Sequence, residues 1–378
     1  MGFRRSKDEA AAPRCPSSPC RDLLPVKDGA KDAVVDCFAD RLRRRKDTFA
    51  KARVPSPRLR GEGPGRQVRG NGAGLRRPAP PPVSPDIETS YVSAIERLRK
   101  EQTAQKPVTT FLHLTDFHVS DPALADGDLL TDTGARLGEM LDMIAAMERK
   151  PAFAVVSGDL TNHGDVASYR HLRARLAGIG LPLLYALGNH DTRPGFYQGM
   201  LDRGDDLEAP YCHEAVIEGV HVVVLDSSVP GRIGGALDEA SFAFLERALE
   251  THPGLAKILV LHHAPALDAT SQLPWETLGQ GDSARLAAAI RGRTVAGILC
   301  GHVHVDRVAV WNGVPVVVGT GLHNAFDPLF SGGLRAVAGA GFALCTLRPG
   351  GLAVTFVPLP SDRRELAVLS EEKARAFR

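Results

Sequence analysis

Short apolar runs alternate with helical patterns along the chain from residue 109 onward. Apolar runs of this length predict strands, and longer segments with apolar residues three and four apart predict helices. The predicted strands are Thr110–Leu114, Phe153–Ser157, Leu183–Leu187, Val220–Leu225, Ile258–Leu261, Ala296–Cys300 and Val314–Val318. The predicted helices are Gly134–Glu148, Val166–Leu176, Glu239–Leu249 and Ser283–Ile290, with Asp165 and Asp238 as N-caps of the second and third. This alternation predicts an α/β domain.

The first 85 residues show no sustained helical or strand period and are rich in Arg, Gly and Pro. Such a composition buries too little apolar surface to offset its chain entropy, so we expect a disordered extension. Residues 86–107 form a lead-in in which Ile87–Glu101 is a short predicted helix. The domain itself is expected to span residues 108–360, and residues 361–378 are expected to be a polar C-terminal tail. No internal repeat is visible.

Charge is distributed unevenly along the chain. The net charge is +2, yet residues 1–85 contain 20 Lys and Arg against 9 Asp and Glu. A basic end on an acidic body raises the hypothesis of a nucleic-acid-binding arm, although this segment is poor in the aromatic side chains that stack on bases. We favour a third interpretation, because the segment Val54–Gly74 looks like a translated bacterial intergenic repeat. The native chain would then begin between about Val83 and Val108.

Composition excludes several classes of protein. At 43% hydrophobic and 24% charged residues the chain is typical of globular proteins, and no stretch approaches the ~18 apolar residues of a membrane span. No apolar core follows Arg4-Arg5 to make a secretory signal. Six cysteines without a C-x-x-C pair suit neither a disulfide scaffold nor a zinc finger. We therefore expect a cytoplasmic globular protein.

Polar clusters follow five of the predicted strands directly. They are Asp116-Phe117-His118, Gly158-Asp159, Gly188-Asn189-His190-Asp191, His262-His263 and Gly301-His302-Val303-His304. Open α/β sheets place their sites in loops at the carboxyl ends of strands. Any one of these clusters also occurs by chance, but five in this order at strand ends indicate one site.

Each cluster has residue types that suit metal binding. In Asp116-x-His118, alternate residues leaving a strand point the same way, so that a carboxylate and an imidazole can hold one ion. The pattern His302-x-His304 repeats that geometry. Asp159 ends an apolar strand, where an unpaired carboxylate is costly to bury and a metal, or two metals sharing its oxygens, removes the cost.

The G-N-H-D cluster adds different chemistry. Asn189 offers a neutral amide oxygen, which is a weak ligand that leaves a metal with an exchangeable position. His190 beside it can act on a substrate, with Asp191 able to orient its ring. The three residues therefore combine a ligand with a candidate acid or base.

The motif series TDFHVSD, SGDLTNHG, LGNHD, LHHAP and CGHVH resembles the calcineurin-like metallophosphoesterase superfamily, in particular its bacterial class III cyclic-nucleotide phosphodiesterase branch. The resemblance covers about residues 109–360. It is specific for the superfamily and much less so for the substrate. It implies a four-layer α/β/β/α sandwich with the metal site at the carboxyl ends of strands.

The resemblance also implies roles for individual residues. It assigns Asp116, His118 and His304 to a first metal, Asp159 to a bridge, and Asn189, His262 and His302 to a second metal. His190 matches the substrate-facing histidine. The choice of His262 over His263 rests on the family's H-H-x-P segment, and Asn162 stands where the family often has Asp.

The resemblance implies two divalent or mixed-valence ions (Fe, Mn or Zn) and a metal-bridging hydroxide that attacks phosphorus in line, with His190 assisting the leaving group. The favoured substrate is 3′,5′-cyclic AMP. The alternatives are a glycerophosphodiester, a nucleotide-sugar pyrophosphate or lipid precursor, and a phosphomonoester. Two non-enzymatic alternatives are a nucleic-acid-binding protein that uses the basic arm and a degenerate scaffold. We expect a small-molecule phosphodiester as the partner rather than nucleic acid, and a homodimer stays open.

Other residues are weaker candidates. His323 is a candidate to line the pocket, His163 to approach the substrate and Arg193 to contact a phosphate. Asp226 is expected to be a turn residue or to support the ligands from behind. Specificity is expected to come from the loops 192–215 and 266–282, whose sequences indicate no particular ligand.

Overall fold

The computed structural model describes residues 108–124, 126–267 and 275–376. The basic extension 1–85 and the predicted helix Ile87–Glu101 lie outside these ranges. The described strands are β1 Thr109–Leu114, β2 Ala154–Ser157, β3 Leu183–Ala186, β4 His213–Ile217, β5 Val220–Val224, β6 Ala256–Val260, β7 Val295–Cys300, β8 Arg307–Trp311, β9 Val314–Val318, β10 Ala325–Phe326, β11 Gly333–Val337, β12 Gly341–Arg348, β13 Gly351–Pro358 and β14 Glu365–Ser370. The described helices are α1 Thr133–Ala145, α2 Val166–Leu176, α3 Arg193–Gly199, α4 Glu239–Glu250, α5 Gln280–Ile290 and α6 Glu371–Arg375.

All seven predicted strands and the four helices predicted within the described residues are present, with ends shifted by at most three residues. Both predicted N-caps are confirmed, because the Asp165 carboxylate accepts a hydrogen bond from the Ser168 amide and the Asp238 carboxylate accepts one from the Ser241 amide. In the described part of the chain, no helix has the length and apolar character that a membrane crossing requires.

The strands form three sheets. The first has the order β13-β12-β1-β2-β3, in which β1, β2 and β3 are parallel. The second has the order β4-β5-β6-β7-β9-β8, in which β5, β6, β7 and β9 are parallel. A small third sheet, β10-β11-β14, is antiparallel. Parallel pairing aligns the carboxyl ends of the central strands of each large sheet, where the polar clusters begin.

Alternate side chains of the large sheets enter different cores. On β1, Phe111 belongs to a core shared by the two large sheets, whereas Leu112 packs with helices α1 and α2. Phe111 stacks on Phe153 with ring centroids 4.7 Å apart, and Val222 of the second sheet joins the same core. Helices α4 and α5 cover the other face of the second sheet. The layers are therefore helix, sheet, sheet and helix, and the predicted α/β/β/α fold class is confirmed.

The C-terminal residues differ from the expectation of a polar tail. Strand β14 pairs with β11, and the carbonyl of buried Ala374 in α6 accepts a hydrogen bond from the Trp275 indole at 2.9 Å. The third sheet thus includes residues that follow position 360. The pattern E-L-A-V-L is short and its side chains are half-buried or exposed, so that apolar periodicity alone did not distinguish it from a loop.

The core between the sheets yields a prediction about stability. Replacing Phe153 by alanine removes a fully buried ring from the stacked pair, and we expect the free energy of unfolding to fall by about 3–5 kcal/mol. Val310→Ala on β8, where the side chain is 75% exposed, should change it by less than ~0.5 kcal/mol. Urea titration followed by circular dichroism measures both, and equal losses would contradict the assignment of this core.

Candidate metal centre

Both large sheets contribute to one site. Strands β1, β2 and β3 lead into Asp116, Asp159 and Asn189, and strands β6 and β7 of the second sheet lead into His262 and His302. The carboxylates and imidazoles of the predicted ligand set are all buried: Asp116, His118, Asp159, His262, His302 and His304. The structure therefore brings together residues from five strand ends, as the sequence predicted.

Four of these residues form a compact group of donor atoms. Asp116, His118, Asp159 and His304 each offer one ligand atom, and these atoms all lie within 4.8 Å of one another. The His118 and His304 Nε2 atoms are 3.2 Å apart, and His304 Nε2 is 3.3 Å from Asp116 Oδ1. Two imidazole nitrogens and two carboxylates at such distances are a donor set that suits a first-row transition metal.

A second group begins at the same carboxylate. His262 Nε2 lies 3.2 Å from Asp159 Oδ2 and 3.2 Å from Asn189 Oδ1. The His302 ring lies beside the His262 ring, and their centroids are 5.1 Å apart. Asp159 Oδ2 is also 3.5 Å from His118 Nε2 in the first group. One carboxylate oxygen therefore lies between the two groups.

The four histidines of these groups are oriented by hydrogen bonds on the side away from the carboxylates. His118 Nδ1 donates to Asn162 Oδ1, and the other three donate to main-chain carbonyls: His262 Nδ1 to Ser157, His302 Nε2 to Trp275 and His304 Nδ1 to Asn324. A neutral imidazole has one N–H, so that each ring keeps a lone pair on its other nitrogen. This is the arrangement of metal-binding histidines, which donate their second nitrogen to a carbonyl or carboxylate. The residues present thus fit a metal centre.

The same criterion separates His262 from its neighbour. His263 Nε2 donates to the Ile233 carbonyl at 2.9 Å, and its Nδ1 lies 2.9 Å from the Ser227 hydroxyl. Both of its nitrogens are therefore engaged, although its ring packs against those of His262 and His302. The geometry favours His262 as the ligand.

Asp191 does not have the orienting role expected from the sequence. Its carboxylate accepts hydrogen bonds from the Leu160 and Gly188 amides and from the Tyr169 hydroxyl, at 2.9–3.2 Å for the amides and 2.6 Å for the hydroxyl. His190 is oriented by the Asn162 carbonyl, which accepts from its Nδ1 at 2.9 Å. The expectation was wrong because backbone amides of two loops compete for the carboxylate. Asp191 joins the loops that carry Asp159 and Asn189.

Five of the seven predicted ligands adopt the left-handed backbone conformation, which residues other than glycine rarely adopt. Their φ angles are 48° at Asp116, 45° at His118, 50° at Asp159, 79° at His302 and 46° at His304. Each such conformation costs about 1–2 kcal/mol. Two glycines allow the loops of the site to approach closely, because a Cβ atom at Gly188 or Gly301 would collide with a neighbouring carboxylate. Backbone strain of this kind concentrates at functional sites.

Electrostatics at the site favours ionised carboxylates. Burial acts to raise the pKa of Asp159, but His262, His190 and His118 outweigh it and hold this pKa well below its usual range. Asp191 shows the opposite balance, since burial and the charge of Asp159 raise its pKa to about 6. Asp159 is therefore available as an anionic ligand at neutral pH.

A cavity of about 410 Å³ opens over the two groups. Its lining includes His190 and His323 beside predicted ligands, and Trp275 from the loop 266–282. The opposite wall is apolar and comes from the third sheet: Phe326, Leu334, Ala336, Ala367, Val368 and Leu369. Sequence reasoning missed this wall, because its strands are short and their pairing joins residues far apart in the chain.

Of the weaker candidates, one lines the cavity and the other three make contacts elsewhere. His323 lines the cavity, whereas Arg193 donates to Asp226 at 2.8 Å and to two carbonyls, so that its guanidinium is engaged elsewhere. Asp226 also accepts from the Ser228 amide within its own turn. The His163 side chain is 46% exposed and pairs with Asp126 at 3.1 Å.

Comparison with known proteins agrees with this geometry. Residues 109–306 match the calcineurin-like phosphoesterase family. The chain is 32% identical over 268 residues to a cAMP/cGMP dual specificity phosphodiesterase of Mycobacterium tuberculosis, covering 68% of this chain and 83% of that protein. It is 28% identical over 225 residues to the 3′,5′-cyclic adenosine monophosphate phosphodiesterase of Escherichia coli, covering 60% and 80%. A probable glycerophosphodiester phosphodiesterase of Arcobacter nitrofigilis is 27% identical over 174 residues, covering 45% of this chain and 63% of that protein. The chain belongs to the calcineurin-like phosphoesterase family and is a metal-dependent phosphodiester hydrolase.

Proposed function

We propose that this hydrolase cleaves a 3′,5′-cyclic nucleotide, with cyclic AMP as the favoured substrate, at a centre for two metal ions. The observation that carries the proposal is the position of Asp159 Oδ2, 3.5 Å from His118 Nε2 and 3.2 Å from His262 Nε2. A single carboxylate between two groups of histidines is suited to bridge two ions.

Each ion would have its own set of ligands besides the bridge. Asp116, His118 and His304 would hold the first, and Asn189, His262 and His302 would hold the second. Two bound ions would lower the pKa of a bound water towards 7 and would attract the negatively charged phosphate. The mixed oxygen and nitrogen donors suit Mn, Fe or Zn. The chain's contribution is to fix these donors in place before substrate arrives.

His190 is the residue we assign to proton transfer. Its ring lies 4.6 Å from that of His118, lines the cavity and is held through Nδ1 by the Asn162 carbonyl. Its Nε2 is consequently the atom that can approach substrate. As an imidazolium it would donate a proton from Nε2 to the departing ester oxygen.

Two observations support a cyclic nucleotide over a glycerophosphodiester. Two of the relatives above are named for hydrolysis of cyclic nucleotides and align over more of this chain than the glycerophosphodiester relative. The apolar wall of the cavity, which includes Phe326 and Leu334, also suits the flat face of a nucleobase better than glycerol. A cytoplasmic location stays a prediction, and a homodimer stays open. The basic arm lies outside the described residues, and nucleic-acid binding by it stays the non-enzymatic alternative.

Substrate choice is tested with the Mn²⁺-loaded protein. We expect metal-dependent hydrolysis of 3′,5′-cyclic AMP with a kcat/KM well above that for glycerophosphoethanolamine, bis(p-nitrophenyl) phosphate and p-nitrophenyl phosphate, and no hydrolysis in a chelated control. Product release is measured by chromatography or by absorbance of nitrophenolate. Faster turnover of the glycerophosphodiester would favour the alternative substrate class.

The bridge is tested by Asp159→Ala. Because this change removes the carboxylate shared by both groups, we expect fewer than two ions per chain and loss of hydrolysis, measured by elemental analysis and by the cyclic AMP assay. Asp238→Ala is the matched control, since it removes an N-cap on α4 and should cost about 1 kcal/mol of stability with metal content unchanged. Retention of two ions by Asp159→Ala would refute the bridge.

The role of His190 is tested separately. His190→Ala should keep both ions and lower kcat by ~10²–10⁴-fold, as expected when a general acid is removed. His171→Ala on α2 is the control and should leave kcat unchanged. Loss of metal from the His190 variant would instead identify His190 as a ligand.

A further inference from the structure

The loop that follows β9 brings one more histidine to the site. The His323 ring is 4.9 Å from that of His118 and 5.9 Å from that of His304, measured between centroids, and it lines the cavity. The loop is held close by the Leu322 amide, which donates to the Asp116 carbonyl at 2.9 Å. His323 therefore faces the region of the first metal group.

The hydrogen bonding of His323 is opposite to that of the ligand histidines. Its Nε2 lies 2.9 Å from the Leu130 amide nitrogen, and a backbone N–H can only donate. Nε2 must therefore carry the lone pair, and the proton of the neutral ring is on Nδ1. Within residues 108–124, 126–267 and 275–376, no group accepts a hydrogen bond from Nδ1. A neutral N–H donor is thus left unused beside the cavity.

The loop that presents Leu130 is itself tied to His323. The Thr131 hydroxyl donates to the His323 carbonyl, so that two consecutive residues of one loop contact the same histidine. The Thr131 contact holds the main chain of His323, and the Leu130 contact fixes the position of the ring and its tautomer before any substrate is present. Fixed donors of this kind are effective because they need no reorganisation when charge arrives.

We propose that His323 is a substrate-binding residue whose Nδ1–H donates a hydrogen bond to a non-bridging oxygen of the phosphodiester. This inference rests on the proposed function of the same site. A phosphodiester oxygen is the acceptor that suits the position, because the rings nearest to His323 are those of the first metal group, His118 and His304. The rings of His190 and His323 both lie beside that of His118. Neutral His190 has its lone pair at Nε2, because its Nδ1 donates to the Asn162 carbonyl, whereas His323 has its proton at Nδ1.

The competing role is a third histidine ligand for the first ion. One ring nitrogen of His323 does lie within 4.8 Å of those of His118 and His304. A nitrogen that carries a proton has no lone pair for a metal, however, and the lone pair of His323 is directed at the Leu130 amide. The two roles predict different losses when the ring is replaced.

Two substitutions separate these roles in the metal-loaded full chain. His323→Phe keeps a ring of similar shape without donors, and His323→Asn places an amide nitrogen at the same distance from Cβ as Nδ1. We expect His323→Phe to keep two ions per chain and to lower kcat/KM for 3′,5′-cyclic AMP roughly 10- to 100-fold, as for loss of one hydrogen bond to a charged group. His323→Asn should recover most of this loss, and His171→Phe should cause none.

Two further readouts do not depend on turnover. Calorimetric titration with inorganic phosphate should show weaker binding to His323→Phe than to the wild type, and normal binding to His171→Phe. Nitrogen-15 spectra of histidine-labelled protein should show the His323 proton on Nδ1. Loss of metal from His323→Phe, unchanged kcat/KM and phosphate affinity, or a proton on Nε2 would each overturn the proposal. A wild type that hydrolyses no diester would refute the proposed function instead, while the spectra and the phosphate titration still decide the role of His323.

Discussion

Face-to-face packing of the two large sheets is the constraint on which the site depends. The carboxylates and the amide come from the first sheet, at Asp116, Asp159 and Asn189, whereas His262, His302 and His304 come from the second. Neither sheet alone holds all of the predicted ligands. The core that fixes their relative position includes the stacked pair of Phe111 and Phe153. Packing between apolar side chains thus determines the distances between polar ones.

The buried carboxylates explain why the site has so many donors around it. Removing a carboxylate from water costs several kcal/mol unless other groups compensate. Asp116 accepts from the His302 amide and the Thr115 hydroxyl, and Asp159 accepts from the His190 amide. These donors stabilise each anion, while Asp116 Oδ1 still lies 3.3 Å from His304 Nε2 and Asp159 Oδ2 lies 3.2 Å from His262 Nε2. The remaining negative charge is what makes the centre suited to cations.

Sequence reasoning recovered the parts of the molecule that depend on local pattern. Strand positions and the residues at their ends follow from apolar runs and from residue type, and the family resemblance selected the ligand set. The role of Asp191 could not be inferred in this way, because its partners Leu160 and Gly188 reach it only when two loops close together. The tautomer of His323 was equally inaccessible, since it depends on the Leu130 amide, 193 positions away in the chain.

The hydrogen bonds of Asn162 have a consequence for the evolution of the site. Its side-chain oxygen accepts from His118, its main-chain carbonyl accepts from His190, and its amide group donates to Asp126. A predicted ligand and the histidine that we assign to proton transfer therefore share one supporting residue. Substitutions at these positions are not independent, since residues within one hydrogen-bond network show interaction energies of roughly 0.5–3 kcal/mol. The order in which mutations accumulate here would consequently limit which variants natural selection can reach, and changes in metal affinity and in proton transfer would be inherited together.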